Sequence, residues 1–157
     1  MSKYEEGMKI LTERLGNGKD NVIALATISL ETGDGGRPRP CVRDVDAVFE
    51  DGVFYVTTYA LSNKIKQIEN NPEVSISANF EDFHSSGIAK NLGWVLDPSN
   101  AELREKLRKA FSEWYDFAND ESDQNCCILA IYLTKGVLRI DHGVMFYHFD
   151  FVNKTAV

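Results

Sequence analysis

The feature that most constrains the fold is a series of segments rich in β-branched and aromatic residues, separated by short polar turns. Residues 22–30, VIALATISL, end at the turn-forming stretch 31–36, and residues 37–49, RPRPCVRDVDAVF, resume an extended pattern. A second turn at 50–52 leads into residues 53–59, VFYVTTY. Connections this short join antiparallel neighbours. The first half of the chain is therefore predicted to form an antiparallel meander.

The second half adds further extended segments. Residues 74–80 alternate in polarity as a fourth strand, and residues 81–96 fit one interrupted strand. Residues 126–141, CCILAIYLTKGVLRID, form a strand or a bent pair, and residues 144–152 end the pattern as another strand. Closing six or more mostly antiparallel strands into a barrel removes exposed edges. We therefore predict a mainly β fold, a closed or partly closed barrel with peripheral helices.

Three helices are predicted at the connections. The first has a regular apolar face formed by Tyr4, Met8, Leu11 and Leu15. A short helix follows Ser62 and stops before Pro72. A longer helix starts near Pro98, where Ser99 and Glu102 have capping-box spacing, and its apolar stripe extends to Trp114.

Composition limits the classes of function. The chain has 157 residues, which predicts one domain spanning 1–157. Its 24 acidic against 17 basic residues give a net charge of -7, which disfavours nucleic acid and anionic membranes as partners. No apolar stretch approaches the roughly 20 residues that a bilayer requires, and the N-terminus lacks the apolar core of a secretory signal. We expect a cytoplasmic protein.

The cysteines and histidines do not form a recognisable metal motif. The three cysteines, Cys41, Cys126 and Cys127, are an odd number in a chain without CxxC, which favours reduced thiols. The adjacent Cys126 and Cys127 point to opposite faces of an extended strand and are expected to be packing residues. The sequence predicts no metal ligands.

Two basic features could hold an anion. Arg37, Arg39 and Arg43 share one strand face with Cys41. Thr57 and Thr58 end a strand shortly before a second group, Ser62, Asn63 and Lys64, which begins a helix. Unpaired N–H groups and the partial positive charge of a helix N-terminus suit a phosphate dianion. The same residue types also fit a simple N-cap at Ser62 and a solvated lysine face, so both interpretations stay open.

The order IALATISL, RPRPCVRDVD and GVFYVTTYALSNKIKQIENNPEVSI resembles the pyridoxamine 5'-phosphate oxidase-like superfamily of FMN-binding split barrels, in particular its general stress protein branch. The resemblance covers roughly residues 4 to 150, and SNKIKQIENNPEVSI is its most specific part. It implies a homodimeric split β-barrel that binds FMN beside the subunit interface.

The resemblance also implies a set of cofactor-binding residues. The FMN phosphate would be held by Arg39, or by Arg37 or Arg43, together with Ser62, Asn63 and Lys64. The ring and ribityl chain would approach the backbone around Cys41, Val42 and Arg43 and the end of the third strand at Thr57 and Thr58. Trp94 of the second subunit could approach the flavin, although core packing is the favoured role for a lone tryptophan.

The resemblance implies an FMN-dependent oxidoreductase or flavin reductase of unknown substrate, with NADH or NADPH as a candidate donor. The flavin carries the two-electron chemistry, so the sequence identifies no catalytic residue. The oxidase itself ends in a segment bearing Arg and His that grips the substrate phosphate. Because this chain has no arginine after Arg139, we do not expect pyridoxamine phosphate oxidation. The alternatives are a non-catalytic flavin-binding stress or redox sensor and a barrel that holds a deazaflavin or haem.

Overall fold

The computed structural model describes residues 1–157, which form four α-helices and eight β-strands. The helices are α1 (Lys3–Leu15), α2 (Asn63–Asn70), α3 (Ala101–Ala110) and α4 (Tyr115–Ala118). The strands are β1 (Asn21–Ile28), β2 (Pro40–Glu50), β3 (Val53–Tyr59), β4 (Glu73–Ala78), β5 (Phe83–Trp94), β6 (Cys126–Ile140), β7 (Met145–Asp150) and β8 (Thr155–Ala156).

The strands form a closed antiparallel barrel with a short extension. Their order is β3-β2-β1-β4-β5-β6-β7-β8, and an additional pairing of β3 with β6 closes the first six strands into a ring. Strands β7 and β8 continue the sheet outside that ring. The prediction of a mainly β barrel with peripheral helices is confirmed.

Two hydrophobic clusters lie on opposite sides of the barrel wall. The larger fills the barrel with alternate side chains of its strands, and α1 and α2 add Leu11, Leu15, Ile65 and Ile68 to it. The smaller lies outside the barrel, where Leu107, Phe111 and Tyr115 of the α3–α4 segment cover the outer faces of β2 and β6. The expected packing of the adjacent cysteines is confirmed, because Cys127 belongs to the inner cluster and Cys126 to the outer one.

The boundaries of several elements differ from the prediction. Strand β4 ends at Ala78, and Phe80 lies in the following turn with a φ of 65° and a fully exposed side chain. Ser99 does not form a capping box with Glu102. It lies in a 3₁₀ turn where Asp97 accepts hydrogen bonds from the Ser99 backbone and hydroxyl, so Asp97 is the capping residue.

Several elements of the second half also differ from the prediction. The apolar stripe of the third helix is divided at Phe111, and α4 begins only at Tyr115. The interrupted strand at 81–96 is a single β5 with irregular register at Ser85/Gly87 and Asn91/Trp94. The short β8 was not predicted.

None of the helices combines the length and the apolar character needed to cross a bilayer.

Candidate functional site

A cavity of about 480 Å³ opens on the outer side of the barrel, beside the end of β3. Thr57, Thr58 and Tyr59 of β3 line it together with Lys64 from the first turn of α2. The segment between α3 and β6 forms another part of the wall with Trp114, Ala118, Asn119, Asp120 and Asp123. The cavity therefore joins the predicted anion-binding region to a part of the chain that is remote in sequence.

Lys64 is a half-buried cation that no carboxylate neutralises. Its Nζ donates a hydrogen bond to Thr58 Oγ1 at 2.7 Å, and it forms none of the protein's ion pairs. Burial, and after it the positive charge of Arg43, lower the pKa of Lys64. An anion bound beside Lys64 would reverse both effects, because it favours the charged ammonium.

Arg43 is a second cation without a carboxylate partner. Its side chain lies among neutral acceptors at the end of the barrel, where Nη1 donates to Thr27 Oγ1 at 2.7 Å and to the Leu25 carbonyl at 3.2 Å. Its Nη2 donates to Gln67 Oε1 at 2.9 Å. Burial lowers the pKa of Arg43. Together, Arg43 and Lys64 give this corner of an otherwise acidic protein a local positive charge.

Two hydroxyl groups in the same region have no hydrogen-bond partner. Thr57 Oγ1 and Ser62 Oγ are both buried and both unpaired. Ser62 has the extended backbone of an N-cap residue before α2, but its side chain accepts no capping hydrogen bond. A buried, unpaired hydroxyl is costly, and a ligand oxygen would remove that cost. The simple N-cap interpretation of Ser62 therefore does not describe its side chain.

The arrangement fits a phosphate group. It combines the N-terminus of α2, two cations that lack carboxylate partners, and two hydroxyls that lack partners. Unpaired N–H groups, positive charge and hydroxyl donors are what a phosphate dianion requires. Asn63 is exposed at the first position of the helix.

Of the predicted site residues, only Thr57, Thr58 and Lys64 line the cavity. Ser62 and Asn63 begin α2 beside Lys64, and the charge of Arg43 contributes to the lowered pKa of Lys64.

The remaining predicted residues lie elsewhere. Arg39 is exposed in the β1–β2 connection, 3.9 Å from Glu31, and Arg37 donates to the Asp34 carbonyl. Cys41 lies at the barrel end, within 3.9 Å of Gln67 Nε2. Val42 points to the other face of β2 and is 70 % exposed.

Trp94 packs against the outer hydrophobic cluster, and its Nε1 donates to the Glu121 carbonyl at 2.8 Å. The tryptophan in the cavity wall is instead Trp114, whose ring stacks on Phe111 with centroids 4.6 Å apart. Its Nε1 donates to Asp20 Oδ2 at 3.0 Å.

Sequence reasoning did not identify the second wall of the cavity. The sequence predicts Trp114 as part of an apolar helix stripe and predicts no role for Asp120 and Asp123. Asp46 was an unremarked position of the second strand, yet it lines the cavity. These residues come together only because α3 and α4 fold back over β2 and β3, and no local pattern signals that contact.

The barrel is similar to several solved protein structures. It is similar to general stress protein 26 from Bacillus anthracis, with 21 % identity, 95 % of this chain and 100 % of that chain covered, and a TM-score of 0.60. It is also similar to a pyridoxamine 5'-phosphate oxidase-related, FMN-binding protein from Nostoc punctiforme, with 18 % identity and a TM-score of 0.59. That alignment covers 92 % of this chain and 86 % of that chain. A third similar structure is a haem-binding protein from Mycobacterium smegmatis, with 13 % identity and a TM-score of 0.67. That alignment covers 98 % of this chain and 60 % of that chain.

No protein-family model matches the chain, and neither does any curated protein sequence. The structural likeness shows the fold, which is the split barrel that these solved structures share. The fold expected from the sequence resemblance is thereby confirmed.

Proposed function

We propose that this split barrel binds FMN and acts as an oxidoreductase or flavin reductase on a small molecule. The observation that carries the proposal is a group of cations and hydroxyls at the start of α2 that lack the partners a phosphate could provide. There, Lys64 and Arg43 lack a carboxylate, and the Thr57 and Ser62 hydroxyls lack any partner.

In this proposal the chain's residues anchor and orient the coenzyme. Lys64 and Ser62 hold the phosphate together with the backbone N–H groups of the first turn of α2. Arg43 contributes a second positive charge nearby, which attracts the phosphate electrostatically. Thr57 and Thr58 lie beside the remainder of the ligand in the cavity wall. Bound flavin supplies two-electron transfer, with NADH or NADPH as the candidate donor.

A second copy of the chain is part of the proposal. Several large apolar side chains close in sequence to the proposed phosphate site are exposed to solvent. The exposed fractions are 70 % for Val42, 54 % for Leu61 and 46 % for Tyr59. A homodimer that covers them would also enclose the open side of the cavity. Sedimentation velocity of the purified protein should give the mass of two chains, and a purely monomeric species would contradict this part of the proposal.

Lys64→Ala tests the phosphate site. We expect FMN affinity, measured by quenching of flavin fluorescence, to fall at least tenfold, which corresponds to about 1.4 kcal/mol. Lys66→Ala is the matched control, because Lys66 lies two residues further along α2, is exposed and does not line the cavity. Equal affinities in the wild type and Lys64→Ala would contradict the proposed site.

The absorbance spectrum distinguishes FMN from other ligands of this fold. A haem-binding protein shares the barrel, but none of the three histidines lines the cavity. We expect flavin bands after addition of FMN, whereas a Soret band in the purified protein would favour haem. Tight FMN binding without reduction by NADH or NADPH would favour a flavin-binding sensor.

A further inference from the structure

Two carboxyl groups meet at the wall of the cavity. Asp46 belongs to the outward-facing side chains of β2 and lines the cavity. Asp20 immediately precedes β1, whose residue Val22 pairs with Asp46 in the sheet. Residues two apart on a strand share a face, so this pairing places Asp20 and Asp46 as diagonal neighbours on the outer face of the sheet.

One oxygen of this carboxyl pair lacks a hydrogen-bond donor. Asp20 Oδ2 accepts from Trp114 Nε1 at 3.0 Å, but Asp20 Oδ1 is buried and has no donor. Neither carboxyl group forms an ion pair. A proton on Asp46 supplies the missing donor and avoids two adjacent negative charges.

The surroundings of Asp46 support an exchangeable proton. Burial, followed by the Asp20 carboxyl, raises the pKa of Asp46 to about 6. The other titratable groups that line the cavity are Lys64 on α2, Tyr59 on β3, Asp120 and Asp123 in the α4–β6 loop, and Cys126 on β6. A carboxyl group that titrates just below neutrality suits general acid–base catalysis.

We propose that Asp46, positioned by Asp20, is the proton donor of this cavity during two-electron reduction of an uncharged acceptor. The proposal rests on the proposed flavin function. It adds a catalytic residue, Asp46, a positioning residue, Asp20, and a class of acceptor. An anionic acceptor is disfavoured by Asp120 and Asp123 and a cationic one by Lys64, because all three line the cavity without ion-pair partners.

The proton and electron balance is simple. An acceptor X=Y becomes HX–YH by gaining a hydride, which carries both electrons, and one proton. Reduced flavin held in the cavity would supply the hydride, and the two electrons lost would leave it oxidised. The Asp46 O–H bond breaks and its proton goes to the atom of X=Y that the hydride does not reach. The pair then regains a proton from water.

Three other titratable groups in the cavity are less suited to this role. Burial, followed by neighbouring carboxylates, raises the pKa of Cys126 to about 11, so its thiol is a weak acid near neutrality. Asp120 and Asp123 are hydrogen-bonded within their own loop, to Ser122 and to the Asn125 backbone.

The first test is a ¹³C carboxyl NMR titration of the protein without flavin. We expect one aspartate to titrate near pH 6 in the wild type, and this titration to disappear in Asp46→Asn. In Asp20→Asn, the pKa of Asp46 should return towards its ordinary value. Asp44→Asn is the matched control, because Asp44 is exposed on the same strand and does not line the cavity. Absence of any titration near pH 6 would overturn the shared proton.

The second test compares two oxidants of the photoreduced FMN complex by anaerobic stopped-flow absorbance. Menadione is uncharged and takes up protons on reduction, whereas ferricyanide takes up electrons alone. Asp46→Asn should slow oxidation by menadione about 100-fold and remove its dependence on a group near pH 6. Oxidation by ferricyanide should change less than twofold, as should both reactions in Asp44→Asn.

The outcomes separate this inference from the proposed function. Failure of the wild type to bind FMN would overturn the proposed function and, with it, the donor role, while the NMR titration would still decide whether the pair shares a proton. If FMN binds and Asp46→Asn reduces menadione at the wild-type rate, the donor role is wrong and the flavin site stands.

Discussion

Gln67 positions the Arg43 guanidinium at the end of the barrel without neutralising its charge. Its Oε1 accepts hydrogen bonds from Arg43 Nη2 at 2.9 Å and from Thr27 Oγ1 at 2.6 Å. A neutral amide can position the guanidinium without cancelling its charge, whereas a carboxylate at the same place would form an ion pair. The identity of this acceptor therefore affects the electrostatic potential at Lys64.

Gln67→Glu should separate folding from anion binding. We expect the melting temperature to stay the same or rise, because Arg43 gains an ion pair, while FMN affinity falls at least tenfold. Asn70→Asp is the matched control, since it adds the same charge at the exposed far end of α2. Fluorescence titration and thermal denaturation give the two readouts. Equal losses of affinity in the two variants would show that net charge, and not the Arg43 contact, is responsible.

Residues close in sequence were predictable members of the site, and residues far apart were not. Thr57, Thr58 and Lys64 lie within eight positions of one another, at a strand end and the following helix start, so a local pattern was enough to group them. Asp46 and Trp114 reach the same cavity only through tertiary folding. In the sequence, Asp46 is compatible with an ordinary strand position and Trp114 with an ordinary apolar helix position, so neither residue type indicates a site.

At the scale of elements, the carboxylate of Glu121 joins α3 to the loop between α4 and β6. Glu121 accepts hydrogen bonds from Arg104 and Arg108, and its carbonyl accepts one from Trp94. Hydrogen bonding by Arg104 is the main reason that the pKa of Glu121 is lowered. The same loop supplies Asp120 and Asp123 to the cavity wall.

Glu121→Gln should loosen this segment. We expect the free energy of unfolding in urea to fall by about 1 kcal/mol, a modest value because both arginine side chains are about one-third exposed and solvent screens the pairs. The control is Glu31→Gln, whose side chain is 86 % exposed and lies 3.9 Å from Arg39, and which should change stability little. A loss no larger than that of Glu31→Gln would contradict the fastening role.

Alternation of polar and apolar residues was sufficient to predict most strands, but not where every element ends. Strand β4 stops before Phe80 because the chain turns there through a positive φ, which an aromatic residue rarely adopts. Asp97 captures the Ser99 N–H and hydroxyl that a capping box would have used. Both outcomes depend on local competition for backbone groups, which sequence spacing alone does not resolve.

At the scale of the whole molecule, closure of the barrel joins segments that are far apart in the chain. The β3–β6 ladder pairs Val53 with Tyr132 and Tyr59 with Cys126. Sequence predicted closure from the cost of exposed edges, but it did not predict which strands meet. That pairing also brings Cys126 to the cavity beside Thr57 and Thr58, so the site exists only in the closed barrel.

The pH dependence of stability should reflect the unusual carboxyl groups of the whole chain. Asp46 keeps a proton up to about pH 6 in the folded state, whereas an ordinary aspartate loses it near 3.8. The folded state therefore binds more protons than the unfolded state across this interval, and stability should fall as the pH rises through it. At lower pH the opposite holds for Glu121 and Asp150, whose pKa values are lowered, so stability should also fall on acidification.

We therefore expect a maximum in the free energy of unfolding between about pH 4 and pH 5, measured by urea denaturation at a series of pH values. Asp46→Asn should remove the decline on the alkaline side of this maximum and leave the acid side unchanged. Asp44→Asn alters the net charge by the same amount but leaves the Asp20–Asp46 pair intact, so it should retain both sides. Parallel profiles for Asp46→Asn and the wild type would mean that general repulsion among the 24 acidic residues, and not the carboxyl pair, causes the decline.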